Sequence, residues 1–208
     1  MLGTGLKNGS PGEELRKVYL SEQQNVLAKI GSTPLSEIET LAGWRAAFRI
    51  FGVDPTQYRS AAEALLRRLT KKGDIPSINA VVDICNLVSI RYALPVAALD
   101  IHELEGVISV HFAAGNELFK PLGEVASEHP ESSEVIFSDP TGHVFARRWC
   151  WRQSLDSAVQ ENSQNVLFTI EAQHDGGKTM VEQALNDLRA LLEKYVGGEY
   201  QTKILWPE

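Results

Sequence analysis

Two stretches carry polar side chains at spacings that could do chemistry. The first, INAVVDICNLVSI (78–90), is apolar apart from Asn79, Asp83 and Asn86, with Ser89 beside them. On a helix, steps of four and three stack these three residues within roughly 60° of one another. Asn and Asp are poor helix formers because their side chains compete for backbone hydrogen bonds. An exposed face of this chain would instead carry Lys and Glu, as the last helix does. The line therefore reads as a solvated stripe, as a structural set bonded to loop backbone, or as one wall of a ligand site.

The second stretch is VFARRWCWRQS (144–154). Read as a strand, it points Arg147, Trp149 and Trp151 one way and Arg148, Cys150 and Arg152 the other. Arginine interleaved with stacking surfaces suits a phosphate backbone or an unstacked base. The alternative is that the tryptophans enter the core while the arginines pair with carboxylates. The five histidines have no metal-ligand spacing. A Cys85–His111 nucleophilic pair would need a reactive thiol, and Cys85 sits in an apolar helix interior where thiols are inert. The sequence has no glycine-rich phosphate loop, no GxSxG and no HExxH. Neither cysteine lies in a CxxC pair, so no metal site or cofactor is expected.

The elements that must position these residues follow from periodicity. Residues 1–11, rich in Gly, Ser and Asn, read as a disordered tail. Helices are expected over about 11–30 (a strand near KVYL being the alternative), over PLSEIETLAGWRAAFRIFG (34–52), from a Ser60 cap to Gly73, and over the opening stretch. Glu63 and Arg67 are four apart in the favourable order. After Ala93 the texture changes to Val-, Ile- and Phe-rich strands with turns at EGV and DPTGH, followed by NVLFTIEAQHDGG. KTMVEQALNDLRALLEKYVGG closes the chain as an amphipathic helix. The order predicts an α+β fold. It is a compact single domain (12–208) with a mostly antiparallel β core flanked by helices, a helical N-terminal part and one C-terminal amphipathic helix.

Composition narrows the function classes. The 208 residues are 43% hydrophobic and 23% charged, with a net charge of −7. Because phosphate neutralisation supplies most nucleic-acid affinity, RNA binding would have to rest on a local patch. No run approaches the roughly 18 apolar residues of a membrane span. No signal-peptide core is visible, so a reduced, cytoplasmic protein is expected.

IPSINAVVDICNLVSIRYALPVAALD resembles the start of the B-three/B-four module of the bacterial phenylalanyl-tRNA synthetase β chain. That family's pattern falls on Asn79, Val81, Val82, Asp83, Cys85, Asn86, Pro95 and Asp100. NELFKPLG, EVIFSDPTGHVFARRW and VQENSQNVLFTIEA resemble the module's second half in order, so the family-like core covers about 60–175. The whole chain is similar to free-standing members with an EALLRR helix (Glu63–Arg68), a VD…N helix and an RRW.WR strand.

In the synthetase this module hydrolyses the ester of mischarged tRNA, and the resemblance implies the same reaction in trans. Some relatives are associated with removing non-protein amino acids such as canavanine. The implied partners are the aminoacylated 3′ end of tRNA and an aminoacyl-tRNA synthetase, with no membrane. There is no room for a synthetase active site, so ligase activity is not expected. The departures are Cys85 for a threonine, Ala97 for a histidine, and WCWRQSLDS for a glycine-rich segment. The pocket glutamate falls near Leu155 or Asp156, so the tyrosine-editing pocket is not preserved.

An aminoacyl ester is labile, and its hydrolysis needs positioning, a placed water and oxyanion stabilisation rather than a nucleophilic side chain. On the resemblance, Asp83, Asn86 and Asp156 are the candidate catalytic residues, with Asn79 orienting the water or carbonyl. Arg67, Arg68, Arg147, Arg148, Trp149, Arg152 and Ser154 form the substrate- and RNA-facing set. Glu63, Asp83, Asp100 and Glu117 are the carboxylates available to a cationic amino acid. The alternatives are a non-catalytic module binding tRNA or an amino acid, and a small-molecule hydrolase using Cys85.

Overall fold

The computed structural model describes residues 1–102, 104–124 and 126–206. The chain runs β1 (Leu2–Thr4), α1 (Glu13–Ile30), α2 (Glu39–Ile50), α3 (Ala61–Lys72), α4 (Ala80–Tyr92), β2 (Val96–Asp100), β3 (Ser109–Phe112), β4 (Val135–Ser138), β5 (Val144–Arg147), β6 (Arg152–Gln153), β7 (Val166–Ile170), α5 (Gly177–Tyr195) and β8 (Glu199–Gln201). Among the described residues these strands form two antiparallel sheets, ordered β2-β7-β1-β8 and β3-β4-β5-β6. The α+β expectation stands.

Helix α4 is the axle of the main core. Val81, Ile84, Leu87, Val88 and Ile90 are buried among residues of α1, α3, α5 and the first sheet. Each such side chain stabilises the fold by about 1.5–3 kcal/mol through apolar burial. A helix buried on nearly every side reads apolar all round. That is why its sequence showed one polar line rather than an amphipathic half.

Both α3 and α4 start at side-chain caps. Ser60 Oγ accepts from the Glu63 N–H at 3.3 Å, and Asn79 Oδ1 accepts from the Val82 N–H at 3.0 Å. Gly73, in the left-handed region at φ 83°, ends α3 by donating its N–H to Leu69 O.

Three expectations need correction. Residues 1–11 are not a disordered tail: β1 lies between β7 and β8, Leu6 is buried, and the Met1 ammonium donates to Phe168 O at 2.8 Å. A three-residue strand is too short to show period-two alternation. Its glycine reflects close approach rather than looseness, since a Cβ on Gly3 would meet the Tyr200 ring at 3.0 Å.

The helix expected over 34–52 is divided into a 3-10 turn, Leu35–Glu37, and α2. The strand expected through RRWCW breaks after Arg147, because Arg148 and Trp149 take positive φ of 43° and 63°; it resumes at Arg152. The predicted alternation of Arg147, Trp149 and Trp151 against Arg148, Cys150 and Arg152 is therefore lost.

Candidate functional site: a pocket between the two sheets

The two sheets meet through Leu99 of β2, Phe137 of β4 and Phe145 of β5, which share a buried cluster. The Gln153 amide ties β6 across to the first sheet, donating to Ala98 O and Ser157 O at 2.8 Å each. Beside this seam lies a cavity of about 90 Å³, with Ala61 of α3 and the 149–153 segment completing its walls. Its surface is mostly apolar, from Pro95, Val96, Ala97 and Phe137 among others, with Glu171 as the one carboxylate lining it among the described residues.

Glu171 follows β7 directly and is tied on all sides. Its N–H donates to Pro95 O at 3.2 Å, and its carbonyl accepts from Trp44 Nε1 at 3.4 Å. Its carboxylate accepts from the Trp149 indole N–H, with Thr169 nearby. Burial raises its pKa above the ordinary carboxylate value, and these neighbours only partly offset that. A desolvated carboxylate on a mostly apolar wall suits a positively charged group.

The turn that delivers Trp149 is strained. A non-glycine residue in the left-handed region costs on the order of 1–3 kcal/mol, and two adjoin here. The neighbours hold them in place. The Trp149 N–H donates to Val135 O at 2.9 Å, and its ring packs edge-on to Trp44 at 5.7 Å and stacks on Phe51 at 6.1 Å. Arg148 lies over the Tyr58 ring at 3.8 Å and pairs with Glu131 at 3.0 Å. Arg147 makes a bidentate pair with buried Glu134, both contacts at 2.8 Å, and reaches Glu128 at 2.6 Å. Burial would raise the Glu134 pKa, but the hydrogen bonds and charge of Arg147 hold it below the ordinary value. Both guanidiniums are buried and committed to these carboxylates.

Of the sequence candidates, Trp149 and Arg152 line this pocket. Arg152 stays exposed at its edge, 4.7 Å over the Trp151 ring. The polar line of α4 does not line it. Asn79 caps α4 and donates to Val159 O at 3.0 Å. Asp83 is fully buried, one oxygen accepting from Ser77 Oγ at 2.5 Å and the other from the Ile78 N–H at 2.8 Å. Its pKa is raised by burial despite both bonds. Asn86 lies beside the buried Tyr19 hydroxyl.

The remaining carboxylates hold loops. Asp100 accepts from the His102 N–H and Ser163 Oγ, and Glu117 from the N–H groups of Ala114 and Gly115. Asp156 pairs with Lys120 at 3.1 Å, and Ser154 is buried with its hydroxyl on Lys120 O. Arg68 stands 3.7 Å from Asp74, whereas Glu63 and Arg67 line a second, separate cleft.

Neither thiol is poised as a nucleophile. Cys85 is buried and its pKa is pushed far up by desolvation. Cys150 lines the pocket, but burial, and then the neighbouring charge of Glu171, raise its pKa well above the ordinary thiol value.

The family model of the B3/4 domain matches residues 43–197. The chain belongs to the B3/4 domain family. No curated protein matches the sequence. Among solved structures, this B3/4 chain is similar to an N-terminal fragment of the phenylalanyl-tRNA synthetase beta-subunit from Pyrococcus horikoshii, at 14% identity and a TM-score of 0.45. The match covers 55% of this chain and 39% of that one.

Sequence reasoning missed Glu171, the central polar group of the pocket. Its partners Trp149 and Trp44 are 22 and 127 residues away, so no local spacing betrays it. The available signal was an acid immediately after the apolar run VLFTI, where a strand leaves the core.

Proposed function

We propose that this chain captures the aminoacyl end of mischarged tRNA and hydrolyses the ester in trans, with the aminoacyl group seated in the pocket between the sheets. The observation that carries the reading is a desolvated carboxylate, Glu171, the one carboxylate lining a mostly apolar pocket among the described residues, in a chain of the B3/4 family. Water adds to the ester carbonyl, the bond to the terminal ribose oxygen breaks, and that oxygen leaves as a hydroxyl; the products are free amino acid and uncharged tRNA. Glu171 receives the positive charge of the aminoacyl group, Trp149 holds Glu171 in place, and the apolar wall excludes competing solvent. Arg152 at the edge faces the terminal ribose or phosphate. With both thiols protonated, hydrolysis proceeds by direct attack of water rather than through a thioester.

A second reading, a non-catalytic module that binds an aminoacyl end or free amino acid, is favoured by one feature: the Glu171 carboxylate already accepts from the Trp149 indole, which leaves less capacity to deprotonate water. A panel of tRNAs charged with cognate and non-cognate amino acids separates the two. Accelerated deacylation of some members, lost in Glu171→Ala, supports hydrolysis. Binding without hydrolysis of any member supports the second reading.

A further inference from the structure

Along α3, from Glu63 in its first turn to Lys71, runs the second cleft, of about 380 Å³, between the Leu35–Ser36 turn, α2 and α3. Among the described residues four cationic side chains line it, Arg45, Arg59, Arg67 and Lys71, against one carboxylate, Glu63. In a chain of net charge −7 that is a sharp local reversal. Glu63 is buried and already neutralised, with Arg45 at 2.7 Å and Arg59 at 3.8 Å. Arg45 is anchored further by Pro55 O at 3.4 Å. Asp54 stands near the rim with its carboxylate on the Thr56 N–H and hydroxyl.

Arg67 and Lys71 sit one helical turn apart on the face that begins at Glu63, and both are exposed. Neither has an ion-pair partner among the described residues. Two anchored guanidiniums backing two unpaired cations form a surface for a chain of phosphates. The same helix touches both sites: Ala61 lines the pocket, and Arg67 lines the cleft. Six residues of helix span about 9 Å, the rise of two to three stacked nucleotides at about 3.4 Å each.

We infer that the α2–α3 cleft binds the phosphate backbone of RNA and aligns the tRNA acceptor strand so that its 3′ end reaches the pocket. Naming the anion as tRNA rests on the proposed function, but the binding measurement does not require hydrolysis. The test is fluorescence anisotropy of a labelled, uncharged tRNA with the full chain, titrated across 50–200 mM salt. Arg67→Ala/Lys71→Ala raises Kd about tenfold at 100 mM salt and lowers the log Kd–log salt slope by about 2, one unit per lost phosphate contact. Lys178→Ala/Lys203→Ala removes the same net charge from exposed positions outside the cleft and leaves Kd within about twofold. Equal losses in the two double variants would overturn the cleft in favour of bulk charge. So would wild-type protein that fails to bind tRNA at 50 mM salt. A protein that binds tRNA through the cleft yet hydrolyses no ester would support this inference and sink the deacylase reading alone.

Discussion

Replacing Glu171 with glutamine separates what the pocket needs for stability from what it needs for function. The glutamine is close to isosteric and its Oε1 still accepts from the Trp149 indole, so the packing of the seam persists. What disappears is a charge whose desolvation outweighs the Trp149 hydrogen bond and raises the Glu171 pKa. A carboxylate with a folded-state pKa above its unfolded value contributes stability that is fully present below the unfolded value. That stability is lost as pH rises through the folded value. Wild type and Glu171→Gln should therefore melt together near pH 4 and diverge in favour of the variant as pH rises. The net cost of one partly buried, partly compensated charge is about 1 kcal/mol, which for a chain of this size is about 2–4 °C in Tm at pH 7–8. Thermal melts by circular dichroism at pH 4, 5, 6, 7 and 8 measure it. A variant less stable than wild type by the same margin at every pH would refute the reasoning, because Glu171 would then be a structural group rather than a desolvated one held for a ligand.

Other consequences follow from the same geometry. Arg147→Ala leaves Glu134 buried without its bidentate partner and should cost about 3–5 kcal/mol in urea unfolding. Because the Glu134 pKa is held low, that stabilisation is present above the ordinary carboxylate value and fades as pH falls through the lowered one, so the gap between wild type and Arg147→Ala narrows in acid. Asn79→Ala removes the α4 cap and the donor to Val159 O, for about 1–2 kcal/mol of stability, read from the same urea curves. Gly43→Ala should destabilise markedly and shift Trp44 fluorescence, because its Cβ would sit 2.2 Å from Gln173 O, two residues from Glu171.

The fold was legible where long-range burial and local period agree. The amphipathic pattern of α5, the Ser60 cap, the Gly73 stop and the Val-rich strands all carry their own signals, and the α+β class follows from their order. The candidate site was less legible, and for definite reasons. Polarity in an apolar setting leaves the α4 line open between a structural set and a pocket wall, and the partners of Asn79 and Asp83 are the cap N–H of Val82 and the entry residues Ser77 and Ile78. Local capping and ligand binding leave the same sequence mark.

The arginine–tryptophan run gave the right residues but the wrong geometry. Positive φ at Arg148 and Trp149 turns the strand, which drives Trp149 onto Glu171 and leaves Arg147 and Arg148 to the glutamates of 128–134. Backbone strain of that kind is invisible to a period-two reading. Glu171 was not legible at all, because its role depends on residues from α2 and from the turn after β5 that only the folded chain brings together.

The most direct measurement is the rate at which wild type and Glu171→Ala release amino acid from a panel of charged tRNAs at catalytic protein concentration. Wild type should turn over at least one non-cognate aminoacyl-tRNA, and Glu171→Ala should be at least tenfold slower while tRNA binding persists. Equal rates for the two proteins, at or above the spontaneous rate, would contradict the proposed function.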